Sequence, residues 1–120
     1  MLSQFRTIDI IWNGVNERIN QKIELVQGGG GRVLSVQVLN GGQTIDTTGI
    51  DLSLKWKTAN GLYEDKNTFT LSGDSNKYEL VPPKKMVRNT GSVRARLELS
   101  AKDEEPVVSM PFDIQIKEAI

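Results

Sequence analysis

The chain has 120 residues and balances 15 Lys plus Arg against 15 Asp plus Glu, for a formal net charge of zero. That is enough chain for one domain with its own core, and it lacks the charge excess with which a basic protein draws in nucleic acid. Cysteine and histidine are both absent, which excludes disulfides, thiolate and imidazole metal centres, and catalytic triads or dyads built on His.

The opening Met1-Leu2-Ser3-Gln4-Phe5-Arg6-Thr7 has no apolar core behind a basic start and does not read as a signal peptide. No apolar run approaches the roughly 20 residues of a membrane-spanning helix. Thr7 to Trp12 predicts the first strand, with Ile8, Ile10 and Trp12 in one phase, and Asn13-Gly14 ends it. Successive strand side chains point to opposite faces, so such alternation buries one face and wets the other. Lys22 to Gln27 follows with Ile23 and Leu25 inward, and the run Gly28-Gly29-Gly30-Gly31 breaks the chain. Val33 to Leu39 is more apolar on both faces, as expected of a central or partly covered strand. Asn40-Gly41-Gly42 turns the chain back through Gln43 to Asp46, and Thr48-Gly49 leads into the next strand.

Asp51 to Lys57 alternates strictly, with Leu52, Leu54 and Trp56 inward. Asn60-Gly61 predicts a two-residue type I′ hairpin, because that turn requires positive φ twice. Thr68 to Leu71 and Lys77 to Val81 read as hairpin arms around Gly73-Asp74, and Pro82-Pro83 stops the second arm. Lys84 to Arg88 is expected to form a single helical turn. Asn89-Thr90-Gly91 opens the long strand Ser92 to Ser100, which places Val93, Ala95, Leu97 and Leu99 on one face and Arg94, Arg96 and Glu98 on the other. Lys102 to Glu105 forms a charged turn before the last strand, Val107 to Lys117, with Phe112, Ile114 and Ile116 in phase. The expected fold is an all-β, immunoglobulin-like two-sheet antiparallel sandwich of about seven to nine short strands. A small closed barrel is the alternative.

Reactive chemistry is scarce. A phosphate loop needs Lys-Ser/Thr or a helix start behind its glycines, whereas Arg32 leads from Gly31 into a strand, so the run reads as a loop. Asp103, Glu104 and Glu105 lack the spaced oxygens of a calcium loop, and Asp74 with Asn76 has no downstream Glu to complete one. Asp9, Asp51, Glu79 and Glu98 occupy the polar phases of their strands, facing solvent rather than a dry cleft that would tune an acid. Trp12 and Trp56 could stack on sugars, but both share the apolar phase of their strands and read as core. Tyr63, just past a turn, is better placed for surface contact. Arg94 and Arg96 are candidates for a partner interface, beside the plainer reading of a solvated strand face.

Three stretches carry a resemblance: Arg32 to Leu39, Thr48 to Gly61 and Thr90 to Leu99, together with the opening strand Phe5 to Ile10. In this order the sequence resembles the N-terminal domain of the upper baseplate proteins of siphophages that infect Gram-positive bacteria. The Gly28 to Gly31 run departs from that family, whose members carry a more polar turn there. The resemblance implies structural work, in which the N-terminal β-domain attaches to the central tail hub protein. Later helical and β segments would form trimers that hold the receptor-binding proteins. It identifies no contact residues, so no binding residue is assigned, and no catalytic residue, cofactor or metal is expected.

On this reading residues 1–117 form one β-sandwich domain and 118–120 begin a helical linker to a further part. The isolated domain is expected to be a monomer and the full-length protein a trimer in the virion tail tip, with neither a nucleic-acid nor a membrane partner. The alternative is a carbohydrate-binding or adhesin-type sandwich module, and an enzyme is the least supported class.

Overall fold

The computed structural model describes residues 2, 5–14, 18–72 and 76–120. Among them are eleven strands and no helix. In chain order these are β1 (Thr7–Asn13), β2 (Ile23–Val26), β3 (Val33–Asn40), β4 (Gln43–Thr44), β5 (Ile50–Thr58) and β6 (Glu64–Thr68), followed by β7 (Thr70–Leu71), β8 (Lys77–Leu80), β9 (Gly91–Ala101), β10 (Val107–Val108) and β11 (Phe112–Lys117). One sheet runs β1-β3-β8-β7 with β4 beside β3; the other runs β2-β11-β9-β5-β6 with β10 beside β9.

The two-sheet all-β sandwich is the expected one, but its pairing is mixed rather than antiparallel throughout. β1 lies parallel to β3, and β2 lies parallel to β11. Parallel neighbours need a long crossover. Here the crossover from β1 to β3 passes through β2 in the opposite sheet. Each of the first two strands therefore closes a different sheet.

The alternating patterns bury most of what they predict, with Ile8 and Leu99 only partly buried against the same core. Trp12, Leu34, Leu54, Leu97 and Ile114 are all at or below 1% exposure and meet between the sheets. Burying side chains of this size contributes about 1.5–3 kcal/mol each. Met86 and Val87 add to that core from outside any strand. Their segment is not the expected helical turn but a β-turn, closed by the Met86 N–H donating to the Pro83 carbonyl at 3.0 Å. Met86 and Val87 turn into the core while Lys84, Lys85 and Arg88 stay exposed.

Two hairpins differ in detail from expectation. At Asn60-Gly61 only Gly61 has positive φ, +75°, and the connection runs over residues 59–63. The Gly61 N–H donates to the Thr58 carbonyl (2.9 Å), and Asn60 Oδ1 accepts from the Leu62 N–H (3.0 Å), so the asparagine stabilises the loop through its side chain instead. The arms β7 and β8 pair as expected, while Gly73-Asp74 lies outside the described residues. Between β6 and β7 the chain changes sheet at Phe69, whose side chain is buried and whose N–H donates to the Leu52 carbonyl.

The last strand is interrupted. Val108 faces Glu98 and Phe112 faces Ala95, so residues 109–111 stand opposite only Arg96 and Leu97. This is a β-bulge, and it accommodates Pro111, which cannot donate to a ladder. Ser109 fills the gap from inside: its Oγ accepts the Leu97 N–H (2.9 Å), and its own N–H donates to the Leu97 carbonyl (2.8 Å).

Candidate interaction surface

The alternation that sends Leu54 and Trp56 inward sends Lys55 and Lys57 outward. On β9 it sends Val93, Ala95 and Leu97 inward and Arg94 and Arg96 outward. The register then puts like charges face to face: Lys55 pairs with Arg96, and Lys57 with Arg94. On the other flank of β5, Lys55 also faces Lys66 of β6, while Lys57 faces Glu64. Like charges opposite one another destabilise an antiparallel pair.

A groove of about 260 Å³ runs over this face, with Lys55, Lys57, Glu64, Arg94, Arg96 and Pro111 among its walls. The bulge helps to open it, because Arg96 has no register partner on the β10–β11 side. Countercharges sit at the rim. Lys66 pairs with Glu98 at 3.3 Å, and Arg94 with Asp113 at 3.6 Å. Among the described residues Lys55, Lys57 and Arg96 make no ion pair, and the buried Nε of Arg96 has no acceptor.

Glu98 departs from its expected solvent-facing position. It is 9% exposed, covered where β10 lies beside β9 and where Lys66 reaches across. Arg94 and Arg96 do stand on the outer face, as their phase predicted. The partnership with Lys55 and Lys57 was invisible before the register was known.

The sheet edges are finished in ways that discourage pairing. On β1, Gln21 lays its amide along the free edge: Oε1 accepts the Ile11 N–H (2.6 Å) and Nε2 donates to the Asp9 carbonyl (2.8 Å). The glutamine side chain thus occupies the place of a neighbouring peptide. On β6 the edge carries Glu64, Asp65 and Lys66, and the Lys66 N–H is taken by Asp65 Oδ1 at 2.8 Å. β7 is only Thr70–Leu71. β2 is flanked by ion pairs of Glu24 with Lys22 (3.8 Å) and Lys117 (3.4 Å). Charge, brevity and side-chain capping are the standard protections of an exposed edge.

Among the described residues the remaining candidates lie apart from one another or in the core. Trp12 and Trp56 are 1% and 2% exposed, so neither indole offers a stacking face to a sugar. The Tyr63 ring lies 5.9 Å from the Arg88 guanidinium, whose Nη1 donates to the Tyr63 hydroxyl at 3.0 Å. The glycine run takes positive φ at all four positions and packs back on the domain, with the Gly28 N–H donating to the Val87 carbonyl. Asp103 adopts φ +63° in its acidic turn. Among the described residues no group of three or more His, Cys, Asp or Glu converges on a point that could hold a metal ion, and no helix is long and apolar enough to cross a membrane. Asp74 lies outside the described residues. Two titrating groups stand out. Asp46 is held below the usual carboxylate range by backbone and side-chain hydrogen bonds from Thr48. Tyr78, donating to the Ile50 carbonyl at 2.9 Å, is pushed above the usual phenol range by burial and then by the charge of Asp51.

No protein-family model matches the chain, and no curated protein matches it in sequence. Among solved structures, the fold is similar to the N-terminal domain of phage TP901-1 ORF48, a baseplate protein. The TM-score is 0.71, covering 93% of this chain and 98% of that one, at 10% sequence identity. At that identity the likeness is one of fold. It is also the fold that the strand and turn resemblance implied.

Proposed function

We propose that this chain is a non-enzymatic structural component of a phage tail baseplate, an adaptor domain through which receptor-binding proteins are attached to the central tail hub. The observation that carries this reading is the near end-to-end match of its fold to a baseplate protein's N-terminal domain. The strand and turn resemblance read from the sequence alone points to the same place. On this reading the protein resides in the virion, at the tail tip, and serves host attachment through protein–protein contacts rather than chemistry.

The mechanism is geometric. Two sheets packed on a shared core, with edges already protected, form a stiff block that can present a face or a set of loops without refolding. Residues 1–117 act as that block, and the chain beyond Lys117 continues as a helical linker to the trimerising, receptor-binding part. The 120-residue piece is then a monomer by itself. Light scattering of the purified chain, alone and mixed with the hub protein of the same phage, tests this. A monomer that forms a defined complex with the hub supports the reading. A stable trimer of the piece alone, or no complex with the hub, overturns the proposed division of labour.

A further inference from the structure

We propose that the cationic groove on the outer face of β5 and β9 is a docking surface for an extended protein segment that carries carboxylates at alternate positions. The proposal stands on charge placement and does not depend on the baseplate reading.

The chain has as many acidic as basic residues, so a basic excess does not force cations together. Yet the register faces Lys55 with Arg96 and Lys57 with Arg94 on two central, paired strands, where each pair costs stability. The nearby acids are already engaged, Glu98 with Lys66 and Asp113 with Arg94 itself, and Lys57 has Glu64 opposite it on β6, so the facing pair left without a countercharge is Lys55 with Arg96. What remains is a pair of open lysines and an arginine whose Nε lacks an acceptor among the described residues. A carboxylate approaching side-on uses Nε–H and an Nη–H together, and would supply that acceptor once the guanidinium turns outward.

Spacing identifies the partner further. Lys55 and Lys57, like Arg94 and Arg96, are two residues apart on a strand, which sets their origins about 7 Å apart. An extended segment with acids at alternate positions presents its carboxylates on one face with the same repeat. Glu64 and Pro111 are among the residues that line the groove. A polyphosphate backbone fits less well, because a chain of zero formal net charge lacks the long-range pull that draws in nucleic acid. Edge addition is disfavoured where Gln21 and Asp65 already occupy backbone N–H groups, which leaves the face as the accessible surface.

The probe is a synthetic peptide, Thr-Glu-Val-Glu-Thr-Glu-Val, beside its glutamine counterpart and an oligothymidylate of equal charge. Each is titrated into the isotopically labelled chain at low salt, with backbone amide shifts and calorimetry as readouts. The acidic peptide is expected to move amides of residues 55–57 and 94–96, and raising the salt is expected to weaken it. The double variant Lys55→Gln/Arg96→Gln weakens binding by about tenfold or more. A charge-matched control away from the groove, Lys22→Gln/Lys102→Gln, changes it by less than about twofold. The proposal is overturned if the glutamine peptide binds equally well, if the shifts centre elsewhere, or if the groove variant binds like the parent. Tighter binding of the oligothymidylate also overturns it, in favour of a phosphate surface. Should the double variant fail to fold, the shift map on the unsubstituted chain decides.

Discussion

The two tryptophans form a matched pair that separates packing from hydrogen bonding. Both are essentially fully buried, and both sit in the apolar phase of an alternating strand. They differ at one atom. Trp56 Nε1 donates to Asn67 Oδ1 at 2.7 Å, whereas Trp12 Nε1 is buried with no acceptor among the described residues. Replacing either by Phe removes the same atoms, so the lost burial and the cavity cost about 1–3 kcal/mol in each case. Trp56→Phe additionally gives up a hydrogen bond worth about 0.5–1.5 kcal/mol. Trp12→Phe instead removes an orphaned N–H whose burial costs about 1–3 kcal/mol. Trp56→Phe should therefore be the more destabilising by about 1.5–4.5 kcal/mol, and Trp12→Phe close to neutral. Urea unfolding measures both, because each variant retains one indole as its fluorescent probe, provided the slopes with denaturant agree. Equal losses, or a larger loss at Trp12, would refute the reasoning and show that the Trp12 N–H is satisfied in solution.

Other expectations follow from single contacts. Leu97→Ala, at a residue with 0% exposure between the sheets, should cost about 2–5 kcal/mol in the same unfolding assay. Gln21→Ala frees the Ile11 N–H and Asp9 carbonyl on β1; it should cost only about 0.5–1.5 kcal/mol but make self-association concentration-dependent by light scattering. Gly29→Ala places a Cβ 3.8 Å from Val87 Cγ2, which is ordinary contact, so its cost of about 1–2 kcal/mol comes from φ +96° and should vanish from a variant carrying a D-alanine there. Tyr78 has a raised phenol pKa in the folded state, so its contribution is whole below the unfolded value of 10.0 and is lost as pH rises through the folded value. Stability should thus decline between the unfolded and the folded values more steeply than in Tyr78→Phe; parallel declines would exclude Tyr78 as the cause.

Period two made the inward faces legible: Leu52, Leu54 and Trp56, then Val93, Ala95 and Leu97, then Phe112, Ile114 and Ile116 are all buried. Turn chemistry placed most strand ends for the same reason, since glycine and proline act locally. What stayed hidden was non-local. Nothing in Thr7 to Asn13 says that it pairs with β3, or that the pair is parallel, because a strand's alternation is the same in either direction. Met86 and Val87 are buried by a turn, which has no period to betray it. Gln21 reads as an ordinary polar residue, and only its distance to β1 reveals an amide standing in for a strand. The groove was half visible: Arg94 and Arg96 could be assigned to one face, but Lys55 and Lys57 join them only through a register that connects Lys55 with Arg96 and Lys57 with Arg94, far apart in the chain.

How the edges are finished bears on how such a domain can hold a partner. A strand added at β1 would first have to displace the Gln21 amide, surrendering two hydrogen bonds before it gained its own. At β6 it would meet Glu64, Asp65 and Lys66 in succession and compete with Asp65 for the Lys66 N–H. A ligand on the outer face of β5 and β9 faces neither obstacle. The backbone beneath it is fully committed, β5 between β6 and β9 and β9 between β5 and β11, so only side chains have to reorder. The repulsion stored between Lys55 and Arg96 works in the same direction, because an incoming carboxylate relieves a cost that the free domain already bears. A face primed by like charges and edges closed by side chains are complementary features, and together they favour reversible, salt-sensitive docking on a rigid block over irreversible growth of its sheets.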